Sequence, residues 1–352
     1  MSKYICGIQQ VGIGTNNLQR DWKWYRQVFN MDIRIFEDAA EAPLMTRYTG
    51  GDIHSRSAAL AMNMQGGGGF EIWQYSSRTP QPAPFEIALG DTGILAIKMK
   101  TRSACKAYQD FKQQGVRMLT PLSKNAAGIP HFYMADTNGY WFEVVEKECW
   151  FKEEGKPTGG VYGAVIGVSN MEKSLAFYRD LLGFDQVLSD TKGFHEDLFG
   201  LPGCDKPVRR VLLAQSIQGT GYFSPLLGTN QIELIQKTEG ETRKIFHERY
   251  WGDLGFIHIC FDVCDMAGLK QRATDLGYHF TVDSDDSFDM GKAAGRFSYV
   301  EDPDHALIEF VETHKIPIVE KWGWYLNLRK MKRNKSLPTW MLGCFRFNRV
   351  KN

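Results

Sequence analysis

GFIHICFDV (Gly255–Val263) and SYVEDPDHALIEFVE (Ser298–Glu312) bracket the stretch that decides the fold. Both are rich in β-branched and aromatic residues and read as strands. Between them AGLKQRATDLGYHF (Ala267–Phe280) spaces its apolar residues as a helix does. His258 stands on the opening strand and Glu309 on the closing one. An imidazole and a carboxylate brought from the two ends of one unit are candidate anchors of a metal site.

Working outward, the same unit recurs. GILAIKMKTRS, which begins at Gly93, aligns with GFIHICFDVCD from Gly255, and FYMADTNGYWFEVVE (Phe132–Glu146) aligns with SYVEDPDHALIEFVE. A second pair of units also aligns. GIQQVGIGTNNLQRDWKWYRQVFNM (Gly7–Met31) lies without gaps on GVYGAVIGVSNMEKSLAFYRDLLGF (Gly160–Phe184). The chain is therefore read as four strand–helix–strands modules in the order A, B, A-like, B-like. In the first module Gln10, Gly12 and Gly14 alternate with Val11 and Ile13, which is strand spacing. Asn16 or Asn17 can cap the next helix, whose apolar face is Leu18, Trp22, Tyr25 and Phe29. Gly66–Gly69 breaks the chain before the strand FEIWQY, and NQIELIQ ends the third module. RTPQPAP (Arg78–Pro84) joins the first two modules, and KEEGKPTGG (Lys152–Gly160) joins the halves. The expected domains are 1–151, 152–313 and a Trp-rich basic tail, 314–352, packing its aromatics on the body. KGFHEDLFGLPG (Lys192–Gly203) is a candidate lid.

Composition bounds the function. A formal net charge of +1 supplies no field for nucleic acid or an anionic membrane. No apolar run is long enough to span a bilayer, and MSKYICGIQQ lacks the plan of a signal peptide. Seven cysteines without a CxxC pair suit free thiols in a reducing cytosol. The expectation is a cytoplasmic, small-molecule protein, monomeric or homodimeric.

The motifs IQQVGIGTNNL, VYGAVIGVSNMEKSLAFYRDLLGF, NQIELIQ, FIHICFDV and EDPDHALIEFVE resemble the vicinal oxygen chelate superfamily of glyoxalase I, bleomycin-resistance proteins and extradiol dioxygenases. The resemblance implies an α+β fold of tandem βαβββ modules whose mixed sheets curve into cups. It also implies one ligand from each module's first strand and one from its last. By register these are Gln10 and Glu71, Ala96 and Glu143, Gly163 and Glu233, and His258 and Glu309. Ala and Gly offer no side-chain ligand. If the first module pairs with the fourth, one cup holds Gln10, Glu71, His258 and Glu309. If modules pair in sequence, one cup holds Glu233, His258 and Glu309, and the other Gln10, Glu71 and Glu143. Either set suits Zn, Ni, Fe or Mn, with Glu309 and Glu71 as the proton-moving carboxylates.

Simpler roles stand beside these. Glu143 and Glu233 fit the solvent-facing half of a strand's alternation. Cys260 shares a face with His258; Tyr25 and Tyr178 suit core packing; His131, His195 and His305 lie in or near loops. Two departures narrow the substrate. Where glutathione-using glyoxalases carry an Arg and an Asn, this chain has Gly14 and Tyr75. Gly163 stands where extradiol dioxygenases need a His. The expected activity is a metal-dependent lyase or isomerase acting by proton transfer on a substrate with adjacent oxygens. A ferrous ring-cleaving dioxygenase and a metal-free small-molecule binding protein are the rivals.

Overall fold

The computed structural model describes residues 4–285, 288–289, 294–319, 322–331 and 335–351. The first module is β1 (Ile5–Gly14), α1 (Leu18–Phe29), β2 (Ile33–Glu41), β3 (Ser55–Met62) and β4 (Gly69–Tyr75). The second is β5 (Gly93–Thr101), α2 (Ala104–Gln113), short β6 (Arg117–Met118) and β7 (Ser123–Lys124), then β8 (Pro130–Ala135) and β9 (Trp141–Glu146). The third is β10 (Val161–Gly167), α3 (Met171–Asp180), β11 (Gln186–Gly193), β12 (Val208–Ala214), the single turn α4 (Ser224–Leu227) and β13 (Gln231–Lys237). The fourth is β14 (Gly255–Val263), α5 (Met266–Asp275), short β15 (Val282–Asp283) and β16 (Phe288–Asp289), then β17 (Ala294–Glu301) and β18 (Leu307–Val319). The tail adds β19 (Trp324–Asn327) and α6 (Thr339–Gly343).

Local chemistry sets the helix starts. Asn17 and Asn170, aligned in the repeat, each accept a hydrogen bond from the backbone N–H three residues on, at Arg20 and Lys173. Ser103 and Asp265 do the same for α2 and α5. Each side chain satisfies an N–H that the helix leaves without a partner.

The strands form two mixed sheets. One runs β15-β17-β18-β14-β1-β4-β3-β2, the other β11-β12-β13-β10-β5-β9-β8-β6. At the centre of the first, β1 lies antiparallel to β14 and parallel to β4, and β14 lies parallel to β18. The second repeats this with β10 against β5, β13 and β9. So the first module pairs with the fourth and the second with the third. Pairing in sequence order is overturned. Glu233 lies on β13 in the second sheet, away from His258 and Glu309, and Glu143 on β9 is equally far from a shared cup with Gln10 and Glu71.

The largest core joins all four long helices to one face of both sheets. Trp22, Phe29, Phe111, Phe177 and Leu269 pack with Val11, Ile13, Ile97 and Ile259. Tyr25 and Tyr178 are fully buried, as core packing requires, and each also donates to a carboxylate of the next module: Tyr25 to Asp136 at 2.6 Å and Tyr178 to Asp302 at 3.0 Å. Sheets thus join modules across the halves, while these bonds join modules within a half. The 152–160 linker is woven into the body. Gly160 N donates to Gly66 O, and a Cβ on Gly67 (φ +110°) would stand 2.7 Å from the Gly160 carbonyl carbon. Only glycine tolerates both that backbone and that approach.

The tail continues β18 and lies against the first module. Ile316, Ile318, Leu328, Leu342 and Phe345 pack with Ile33, Leu60 and Met62. Arg349 pairs with Asp32 and Glu154. Of the tail's aromatics, Phe345 is buried in this cluster and Trp324 packs against it, whereas Trp322 and Trp340 are 69% and 63% exposed.

Candidate metal centre

The free face of the first sheet forms a cup. Register brings four side chains together there. On β1, Gly12 pairs with His258 of β14 and with Glu71 of β4, and Gln10 pairs with Cys260. Cys260 in turn pairs with Glu309 of β18. His258 Nε2 lies 3.1 Å from Glu309 Oε2 and 3.3 Å from Glu71 Oε2. Gln10 Nε2 donates to Glu71 Oε2 at 3.2 Å. One donor atom from each of Glu71, His258 and Glu309 lies within 4.8 Å of the others, the one such group of three or more His, Cys, Asp or Glu among the described residues.

Neighbouring residues hold this arrangement. A Cβ on Gly12 would sit 2.4 Å from the His258 ring, so the ring can lie across β1 only because residue 12 is glycine. Tyr299 on β17 places its hydroxyl 3.3 Å from His258 Nδ1. A proton on Nδ1 donated to that oxygen leaves the Nε2 lone pair facing the carboxylates, the tautomer a metal ligand needs. Trp251 stacks on the imidazole with ring planes 9° apart and meets Trp73 edge-on. Burial opposes a charge on His258, but Glu309 and Glu71 outweigh it and push the imidazole up to about 9. Cys260 is fully buried beside Glu309, and its thiol is pushed well up, first by burial and then by that carboxylate.

The second cup carries the same two carboxylates, with different chemistry between them. Glu143 and Glu233 are buried, which corrects the solvent-facing reading. The Lys98 ammonium bridges them, and its side chain is fully buried. Lys98 aligns with Cys260 in the repeat, so an internal cation stands where the first cup has an open space between donors. His131 Nδ1 lies 2.7 Å from Glu143, Arg210 pairs with Glu233 and Asp197, and His131 Nε2 lies 3.1 Å from Asp197. The 192–203 segment therefore covers this cup, with Asp197 in the network and Leu198 and Leu201 buried in its core. His131 thus lies on β8 and not in a loop; His195 lies 3.4 Å from Val208 O, and His305 pairs with Glu301 on an exposed turn.

The two departures have physical reasons. A Cβ on Gly14 would lie 2.0 Å from Asp253 O, which leaves no room for an arginine. Tyr75 gives its hydroxyl proton to Trp251 O, so it serves the wall behind the site. Sequence reasoning missed Tyr299, Lys98 and Arg210. The repeat held a signal for the first, since Tyr133 and Tyr299 align and pair across their strands with Glu143 and Glu309.

The residues of the first cup fit a divalent ion. Gln10 Oε1 is buried and makes no hydrogen bond among the described residues, while the buried His258 Nε2 faces the carboxylates of both Glu309 and Glu71. A buried amide oxygen without a donor is unfavourable, and two carboxylates converging on one imidazole leave negative charge that a cation would balance. One amide oxygen, one imidazole and two carboxylates form a borderline-to-hard donor set.

The Glyoxalase/Bleomycin resistance protein/Dioxygenase superfamily model matches residues 7–144 and 163–310. No curated protein sequence matches. Among solved structures, glyoxalase I from Zea mays is similar at 15% identity and a TM-score of 0.53, covering 87% of this chain and 92% of that one. A putative dioxygenase from Bacillus subtilis aligns at 14% identity and a TM-score of 0.57, covering 88% and 86%. These likenesses concern the fold, and no helix among the described residues is long and apolar enough to cross a membrane. With both halves matched and the cups built from crossed modules, the chain belongs to the Glyoxalase/Bleomycin resistance protein/Dioxygenase superfamily.

Proposed function

We propose that the protein is a metal-dependent lyase or isomerase that moves a proton on a small substrate bound through two adjacent oxygens. The observation that carries this reading is the convergence of the Glu71, His258 and Glu309 ligand atoms within 4.8 Å of one another, with Gln10 beside them. Gln10, Glu71, His258 and Glu309 would hold the ion. A divalent ion there would polarise a bound carbonyl and acidify the adjacent C–H.

The chain's own residues do the rest. Glu309 would take a proton from that carbon, and Glu71, whose carboxylate meets the same His258 nitrogen, would return one. Tyr299 fixes the imidazole, while Trp73 and Trp251 wall the site from water. The cup contains one histidine, whereas a two-His–one-carboxylate iron centre needs two. That favours proton transfer over ring cleavage.

The test is metal loading followed by exchange. One Mn, Ni or Zn ion per chain is expected, with solvent deuterium entering a bound α-hydroxyketone at the carbon beside its oxygens and Glu309→Gln abolishing the exchange. Oxygen uptake by iron-loaded protein would support the dioxygenase instead. A chain that binds no divalent ion would leave only a binding protein.

A further inference from the structure

The cup continues beyond the carboxylates into a cavity of about 320 Å³, at the small end of the range for ligand sites. Part of its wall comes from outside the first and fourth modules' repeated strands: from the α4 segment of the third module and from the tail. Phe223, Leu226 and Leu227 come from the segment before β13, which crosses from the third module to the first sheet, where Ser224 Oγ donates to Cys6 O. Ile316 and Phe345 come from the tail. Phe223 and Phe345 meet with ring centroids 6.5 Å apart.

The near walls are Trp73, Trp251, Phe297 and Tyr299. Arg56 is the one basic side chain among the described lining residues, and Asp38 already neutralises it. A carboxylated thiol such as glutathione would find no free cation among the described lining residues. Trp251, which lines this cavity, keeps a buried indole N–H with no acceptor among the described residues.

We infer that the substrate carries its adjacent oxygens on an uncharged, aromatic or similarly bulky apolar body, and that Phe345 in the C-terminal tail fixes the length of body the cup accepts. This rests on the metal reading above for the oxygens, but the apolar end stands on its own walls. Without the tail, the cavity loses the wall that Ile316 and Phe345 supply, so these two residues form part of the site.

Calorimetry on the Mn-loaded full chain tests it with three probes: 2,3-butanedione, 1-phenyl-1,2-propanedione and propylbenzene, which has a phenyl-bearing three-carbon skeleton and no oxygens. The phenyl dione should bind at least tenfold tighter than butanedione. Phe345→Trp should erase that gain while leaving Mn affinity and butanedione binding unchanged. Because an indole at a buried position can unsettle the fold, Leu44→Arg at the exposed rim is the second variant, with the same expected loss for the phenyl dione. Equal binding of the two diones, or indifference to both substitutions, overturns the inference and leaves the metal reading standing. If Mn does not bind, propylbenzene decides. Binding that Phe345→Trp or Leu44→Arg removes keeps the apolar cup without the metal, and no binding overturns both.

Discussion

Replacing Lys98 by methionine removes the ammonium between Glu143 and Glu233 and leaves nearly the same volume. All three side chains are at most 1% exposed. Removing one partner of a buried pair costs about 3–5 kcal/mol, because the remaining charge keeps its desolvation penalty without its counterion. Here two carboxylates lose a partner together, although His131 still faces Glu143 and Arg210 still faces Glu233. Those contacts hold the loss within that range rather than doubling it. Against a typical total of about 5–15 kcal/mol, it is a large fraction of the stability. The charges also set the pH window. Burial works against Glu143 and Glu233, but Lys98, Arg210 and His131 hold both below the ordinary range. Their contribution is therefore present above about pH 4.3 and fades as pH falls through their lower folded values. Lys98 is raised, burial opposing and the two carboxylates outweighing it, so its contribution is present below about pH 10.4 and fades only above that. Urea unfolding at pH 7, followed by tryptophan fluorescence, should show a lower midpoint for Lys98→Met at unchanged slope. Lys98→Met combined with Glu143→Gln should recover at least half of the loss, since one carboxylate no longer needs a counterion. A single variant as stable as the parent, or a double variant no better than the single, would refute this account.

Other expectations follow from the first cup. His258→Ala should abolish tight Mn binding, and Tyr299→Phe should weaken it about 10–100-fold by freeing the imidazole, both read by titration against a metal-sensitive dye. Gly12→Ala should displace the His258 ring, lowering Mn affinity and costing about 1–3 kcal/mol of stability in a urea melt. Because His258 holds its proton up to about 9 without an ion, a metal must displace that proton. Mn affinity should rise about tenfold per pH unit between pH 6 and pH 9, with about one proton released per ion in calorimetry across two buffers. A pH-independent affinity would contradict the imidazole's role. Metal stoichiometry should be one per chain, since Lys98 fills the second cup; two ions per chain would show that the ammonium gives way.

What the sequence revealed and what it hid divide along physical lines. Strands, helices and their caps are local, so Asn16 or Asn17 announced the first helix, and Gln10, Gly12 and Gly14 their face of β1. The pairing of modules is not local. Register alone fitted both arrangements, and Glu233 could be joined to His258 on paper because nothing between Lys152 and Gly160 states which sheet the chain enters next. The losses at Ala96 and Gly163 were the clue, since they make sense together only when the two middle modules share a cup. Lys98 was harder to see. A lysine inside a strand reads as an edge or surface residue, and only the alignment of Lys98 with Cys260, combined with crossed pairing, places an ammonium between two buried acids. Once it is there, Glu143 and Glu233 no longer need a metal to be buried. The same alignment explains why the first cup does: with a thiol at Cys260 in place of an ammonium, Glu71 and Glu309 have only the His258 proton to share. An ion, a protonated imidazole or both must balance them, and that unmet demand for positive charge distinguishes the two cups more sharply than any single ligand does.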